Sequence, residues 1–172
     1  MRILVTGAAG SGTTTLGVSI AQAMGARHFE ADDYLWLPTH PPYQKLRQAE
    51  ERASMLISAL NGAPDAVVSG SVMGWGSAIE DCFDAVAFLY VETSIRVARL
   101  IEREQRLHGS ARPEFLEWAA SYDGNPAEGR SLAAHRNWLG SRRCKVVELV
   151  GPQNNEERLK QFLSTVALKE RA

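Results

Sequence analysis

Residues 7–15 read Gly-Ala-Ala-Gly-Ser-Gly-Thr-Thr-Thr, with the apolar run Ile3-Leu4-Val5 before them and a helical pattern over 14–24 after them. A strand, a glycine-rich turn and a helix in that order let main-chain N–H groups converge at the positive end of the helix dipole. Anionic oxygens suit such a place, foremost those of a nucleoside triphosphate. Gly7, Gly10 and Gly12 allow close approach of phosphate, and Ala9, Ser11 and Thr15 complete the loop. Thr14 stands where a hydroxyl ligates Mg²⁺ beside the β- and γ-phosphates. Thr13 occupies the position where such loops carry lysine. Either an arginine supplies the missing charge, or the loop binds nucleotide without transferring phosphate quickly.

Working outward, 172 residues at 45% hydrophobic and 23% charged suit a single domain, 1–172, with its own core. The net charge of −1 gives no global attraction to nucleic acid or anionic membrane, so neither is an expected partner. No run approaches the roughly 18 apolar residues of a membrane span, and no signal-peptide pattern follows Met1. A cytoplasmic location is the expectation. Cys82 and Cys144 lack metal-ligand spacing and are expected to be reduced and buried. Lysine occurs only at 45, 145, 160 and 169; arginine supplies the other cations, and its planar fork suits phosphate.

Short apolar runs alternate with helical patterns, the mark of βαβ units around a parallel sheet. The predicted strands are 2–6, 27–30, 66–69, 85–91 and 145–150. The predicted helices are 13–24, 43–60, a short one at 77–82, then 93–107, 113–122, 127–139 and 154–167. Helix 43–60 rests on the spacing of Leu46, Ala49, Ala53, Leu56, Ile57 and Leu60. Helix 93–107 is expected to turn Ile95, Ala98, Leu100 and Ile101 inward. The part from about 107 to 143 is expected to form a lid or insert.

Asp32 and Asp33 follow the second strand, where a carboxylate accepts a substrate proton or, for Asp32, holds Mg²⁺ through water. Turn or cap aspartates explain them equally simply. Trp36 is a candidate wall of the acceptor pocket, and Ser69-Gly70-Ser71 leaves the third strand beside the loop. Arg99, Arg103 and Arg106 lie at i, i+4 and i+7, on one helix face, with Glu102 and Glu104 offering plain ion pairs as the alternative. Arg130, His135 and Arg136 are weaker candidates for lid cations.

The loop at 7–15, the segment Glu30-Ala31-Asp32-Asp33-Tyr34-Leu35-Trp36, the segment Val68-Ser69-Gly70-Ser71 and the arginine series resemble the adenylate kinase-like P-loop kinases. That group includes nucleoside monophosphate, shikimate and gluconate kinases and the topology modulation proteins. The resemblance covers most of the chain. It implies a three-layer α/β fold, a five-stranded parallel sheet in the order 2-3-1-4-5 with helices on both faces, and a helical lid. It also implies ATP on residues 7–15, Mg²⁺ on Thr14 and Asp32, and adenine between Arg99 and the loop at Gly151-Pro152-Gln153. Asp32 would act on the acceptor, with Arg103 and Arg106 on the transferring phosphoryl group. Asp33, Trp36, Ser69, Gly70 and Ser71 would line the acceptor site. Adenylate kinases carry an aspartate and a phosphate-holding arginine near 69–71, and this chain has neither there. The expected activity is therefore ATP-dependent phosphoryl transfer to a small acceptor, a nucleotide or a hydroxylated metabolite. A nucleotide-binding regulatory protein is the alternative favoured by Thr13, and a module for a non-nucleotide phosphate ligand is a third.

Overall fold

The structure is a computed structural model that describes residues 1–40, 43–124 and 130–167. Five parallel strands, β1 (Arg2–Gly7), β2 (Arg27–Glu30), β3 (Ala66–Ser69), β4 (Ala85–Tyr90) and β5 (Lys145–Val150), pair in the order β2-β3-β1-β4-β5. This is the α/β fold and strand order implied by the resemblance. The strands read as nearly continuous apolar runs because alternate residues feed two cores. Leu4, Val68, Val86 and Phe88 point to one face, where they meet Leu56, Leu60, Ile79 and Leu139. Ile3, Val5, Val67, Ala87, Leu89 and Leu149 point to the other, where Leu16, Ile20 and Phe162 cover them.

The helices are α1 (Thr13–Met24), α2 (Ala31–Leu35), α3 (Ala49–Asn61), α4 (Ser77–Glu80), α5 (Thr93–His108), α6 (Pro113–Ala120), α7 (Leu132–Gly140) and α8 (Asn155–Ala167). Helices α1 and α8 cover one face of the sheet, while α3, α4 and α7 contribute to the other. Among the described residues no helix is long and apolar enough to cross a membrane. Cys82 and Cys144 are unpaired thiols, and both are half-buried rather than buried.

Four elements depart from expectation. Helix 43–60 begins only at Ala49, because the preceding residues pair elsewhere. Leu37 N–H donates to Lys45 carbonyl (2.9 Å), Arg47 N–H donates to Leu35 carbonyl (2.8 Å), and Trp36 and Leu46 form an antiparallel bridge. Leu46 is thereby exposed instead of buried on a helix face. Along α5, Ala98 is exposed and Arg96 takes the buried position, for reasons given below. Helix 113–122 ends at Ala120 and tightens into a 3-10 turn, Ser121–Gly124. Helix α7 begins at Leu132, capped by Ser131 Oγ accepting from Ala134 N–H (3.1 Å). The part of that predicted helix at 127–129 lies outside the described residues.

His135, wholly buried, ties the end of β1 to the segment above it. Its Nε2 lies 3.1 Å from Thr6 Oγ1 and its Nδ1 lies 2.9 Å from Tyr122 Oη. Burial, reinforced by the Arg130 charge, lowers its pKa to about 4, so the ring is neutral and is no lid cation. An unfolded chain's histidine takes up a proton below its ordinary value of 6.5, while the folded ring does not until about 4. Stability is therefore complete above pH 6.5 and falls as the pH drops from there toward 4, by about 3 kcal/mol from this group alone. Thermal unfolding followed from pH 7.5 to 4.5 should show a shallower acid loss in His135→Gln than in wild type. Equal slopes would contradict this assignment.

Candidate functional site

All five strands run the same way, so their carboxyl ends deliver the site residues to one edge of the sheet. There β1 turns into the loop and α1. Gly10 (φ 80°) and Gly12 (φ 97°) adopt left-handed backbone conformations, and a Cβ on Gly10 would lie 2.6 Å from the Arg96 carbonyl oxygen. The first α1 hydrogen bond runs from Leu16 N–H to Gly12 carbonyl (3.1 Å), leaving the amides of Thr13, Thr14 and Thr15 without helical acceptors. No side chain caps that terminus and no acid of the helix itself lies in its first turn.

The loop's carbonyls are held from behind by guanidinium groups. Arg96 Nη1 donates to Ala9 carbonyl (3.2 Å), Arg99 Nη1 to Gly10 carbonyl (3.5 Å) and Arg158 Nη1 to Ser11 carbonyl (2.9 Å). Arg96 is fully buried and also donates to the carbonyls of Val91 (2.9 Å) and Ala119 (3.1 Å) and to Thr93 Oγ1 (2.8 Å). Arg158 reaches Gly151 carbonyl as well (2.8 Å). Three consecutive carbonyls are thus engaged. Ser11 itself is buried, its Oγ without a hydrogen-bond partner.

An acidic group faces the start of α1. Thr14 Oγ1 donates to Glu30 Oε2 (3.3 Å), at the end of β2. Glu30 Oε1 is buried without a hydrogen-bond partner, and His28 Nε2 stands off at 3.6 Å. Burial raises the Glu30 pKa to about 7; the Thr14 bond opposes this, and the charges of Asp32 and Asp33 add to it. Asp32, in the first turn of α2, is also pushed up by desolvation, against the pull of Arg130 and Arg103. Its side chain nevertheless remains open to solvent at the mouth of the site. Asp33 is exposed beside it.

Arg130 is half-buried over the loop. With Trp118, Ala119 and Tyr122 it closes a narrow crevice above Gly7, Ala8 and Ala9, its guanidinium carbon 5.5 Å from the Trp118 ring centroid. A larger cavity of about 440 Å³ lies at the amino ends of the strands, among Met1, Asp84, Arg142 and Lys145. Charges there are already tied together, Arg142 to Asp81 (2.9 Å) and Glu80 (3.4 Å), so the loop edge is the better site.

Other expected site residues fall elsewhere. Ser69 is fully buried: its Oγ donates to Thr13 carbonyl (3.2 Å) and shares a 2.8 Å bond with His28 Nε2. It fastens β3 to α1 and does not face an acceptor. Ser71 is also buried, bonded to Met73 N–H (3.4 Å), while Gly70 turns against Ala31 with its N–H on Val5 carbonyl (2.9 Å). Trp36 is half-buried at the end of α2, edge-on to Tyr43 (5.9 Å). Arg103 pairs with Glu104 (3.1 Å), and exposed Arg106 makes no hydrogen bond or ion pair with a described residue. Arg136 is exposed and reaches Glu148 at 3.9 Å. The reading of motifs missed Glu30, Arg96 and Arg158. Arg96 left a signal, one turn before Leu100 on the buried stripe of α5, and Glu30 opened the acidic segment 30–36 without being read as a site residue.

No family model matches the chain. The uncharacterized protein YqaC of Bacillus subtilis (strain 168) is 35% identical over 171 residues, covering 94% of each chain. Among solved structures, deoxyadenosine kinase from M. mycoides with bound dATP superposes with TM-score 0.63 at 11% identity, over 97% of this chain and 100% of that one. Shikimate kinase from Acinetobacter baumannii, in complex with shikimate, gives 0.58 at 14% identity over 98% and 93%. A gluconokinase from Sinorhizobium meliloti 1021 gives 0.55 at 19% over 96% and 91%. At these identities the likeness establishes a P-loop kinase fold.

The Arg96→Met variant isolates the loop's support. Leaving the Ala9, Val91 and Ala119 carbonyls and Thr93 Oγ1 without that donor should cost about 3 kcal/mol or more in chemical denaturation. Nucleotide affinity should fall with it. A variant as stable as wild type would contradict the role given to this arginine.

Proposed function

The chain belongs to the same family as YqaC, and from its P-loop kinase fold and the geometry of its loop we propose an ATP-dependent phosphotransferase acting on a small hydroxylated acceptor. One observation carries the reading: an uncapped helix start and its glycine loop lie against Glu30, hydrogen-bonded to Thr14, with the charges of Asp32 and Asp33 acting on it. The amides of 7–15 would hold the triphosphate, and Arg99 would flank the base near 151–153. Asp32 would accept the proton of the acceptor hydroxyl as its oxygen attacks the γ-phosphorus. The bond from that phosphorus to the bridging oxygen breaks and ADP leaves. A raised pKa makes Asp32 a better base than an aspartate of ordinary proton affinity.

The chain's own residues suit Mg²⁺. Thr14 hydroxyl donates to the Glu30 carboxylate, and the repulsion that the charges of Asp32 and Asp33 exert on Glu30 is what a cation would relieve. When bound, Mg²⁺ neutralises charge on the β- and γ-phosphate oxygens. Thr13 leaves a second positive charge to be found. Arg130 supplies it best, half-buried over the loop and near enough to Asp32 for each to shift the other's proton affinity. Arg103 faces the same carboxylate more weakly, and Arg106 would join only if the segment from about 107 to 143 closes as a lid. Acceptor residues would be Asp33 and Trp36. The cytoplasm is the proposed setting.

Thr13 also favours a second reading, a regulatory protein that binds nucleotide with little turnover. ADP release measured against nucleosides, nucleoside monophosphates and hydroxy acids separates the two. The kinase reading expects acceptor-dependent release, reduced about 10²-fold or more in Asp32→Asn and on the order of 10³-fold in Arg130→Gln. Tight binding with no release against any acceptor would favour the regulatory reading.

Glu30 gives an independent handle. With its pKa at about 7, a cation must displace its proton below neutrality, so Mg²⁺-dependent nucleotide affinity should rise as the pH goes from 6 to 8. Calorimetry should find that dependence flattened in Glu30→Gln; an unchanged dependence would remove Glu30 from the cation site.

A further inference from the structure

One arginine occupies a core position on α8. Arg158 is 4% exposed and shares the buried stripe of that helix with Phe162. Its backbone is fixed where the helix begins. Asn154 Oδ1 accepts from Glu157 N–H (2.9 Å), and Glu157 Oε2 accepts from Asn154 N–H (3.0 Å). Asn155 Nδ2 donates to Ser19 Oγ of α1 (2.7 Å), which ties the same turn to the helix behind the loop. A guanidinium buried this deeply ordinarily has a carboxylate beside it. Arg96 has Asp123 at 3.8 Å, and Arg142 has Asp81 and Glu80. Among the described residues no carboxylate pairs with Arg158. Burial, and then the like charge of Arg99, lower its proton affinity.

The two ends of the fork serve different segments. Nη1 donates to Ser11 carbonyl in the loop (2.9 Å), and Nη2 donates to Gly151 carbonyl after β5 (2.8 Å). Nη1 also lies 3.4 Å from where a Cβ on Gly12 would be, so the group sits against the step into α1. On the other side, Gly151 N–H donates to Tyr90 carbonyl (2.9 Å), and the backbone there is left-handed (φ 91°). One rigid planar group therefore sets the spacing between the loop and the turn at Gly151.

We infer that Arg158 is a positioning residue that couples the turn at Gly151 to the phosphate loop, so that the nucleoside and triphosphate ends of a nucleotide bind as one unit. The inference rests on the phosphotransferase reading, which puts the base near 151–153. It adds a source of selectivity, a preference for nucleotides over bare polyphosphates that depends on one buried fork. The charge of Arg158, without a carboxylate of its own, favours the anion held across the Ser11–Gly12 peptide.

Two probes separate the ends of the ligand. Inorganic tripolyphosphate has only the phosphates, and a non-hydrolysable ATP analogue has the nucleoside as well. Each is titrated by calorimetry into wild type, Arg158→Lys, Arg158→Gln and Gly151→Ala, at a temperature where all are folded. Arg158→Lys keeps the charge and loses the fork. Gly151→Ala cuts the same link independently. Nothing lies within 4 Å of its new Cβ, so it acts through the left-handed backbone angle that alanine resists.

Wild type should bind the analogue more tightly than tripolyphosphate. That preference should fall about 10-fold in Arg158→Lys and in Gly151→Ala, while tripolyphosphate loses about 3-fold at most. Arg158→Gln, which also lacks the charge, should weaken both probes. Arg158→Lys combined with Gly151→Ala should lose no more preference than either alone, as two cuts in one link do. Equal binding of the two probes by wild type overturns the inference and leaves the nucleotide reading standing. So does a loss in Arg158→Lys that is the same for both probes, no loss for either, or an additive loss in the double variant. Binding of the analogue with none of tripolyphosphate also overturns it, since the phosphates alone must then lack a grip. Failure of wild type to bind the analogue overturns the nucleotide reading itself.

Discussion

Three hydrogen bonds from arginine to consecutive carbonyls of the loop, at Ala9, Gly10 and Ser11, govern this site. A peptide group whose carbonyl is fixed on one side must present its N–H on another. Holding these carbonyls by guanidinium groups therefore turns the Gly10 and Gly12 amides away from them before any ligand arrives, while the Ser11 amide closes the turn on the Ala8 carbonyl (3.1 Å). Gly10 and Gly12 supply the left-handed backbone angles that this geometry requires. Arg96 extends the same constraint to α6 through Ala119 carbonyl, so the segment over the loop and the loop itself share one buried cation.

Cationic charge around this loop is therefore arranged differently from a loop with its own lysine. Thr13 brings none. Arg96, Arg99 and Arg158 lie behind the backbone, where their charge adds to the helix dipole at short range. Arg130 comes from the opposite side, above Gly7–Ala9.

Much of the architecture was legible in the sequence because parallel strands buried on both faces are short apolar runs, and the helices between them carry a different period. All five strands, α1 and the sheet order match the reading. The helix expected from residue 43 failed for a specific reason. Leu46 and Ala49 fit its spacing, but backbone pairing of 45–47 with 35–37 satisfies the same peptide groups in another way, and spacing cannot reveal which wins. The loop was legible as a motif because its chemistry is local. Its supports were not: Arg96 lies 87 residues from Ala9 and Arg158 lies 147 from Ser11, distances at which only the fold makes neighbours. Ser69 misled for the converse reason, since adjacency to the loop in the sheet placed it under α1 and not in the cleft.

The account stands on amides of residues 7–15 binding a triphosphate with no lysine among them. Amide resonances followed by NMR during titration with ATP and Mg²⁺ test this most directly. The expected result is saturable shifts centred on Gly10, Gly12, Thr13 and Thr14, reduced in Arg158→Gln, which loosens the Ser11 carbonyl. Resonances of the loop that stay in place at millimolar nucleotide would contradict the account at its base.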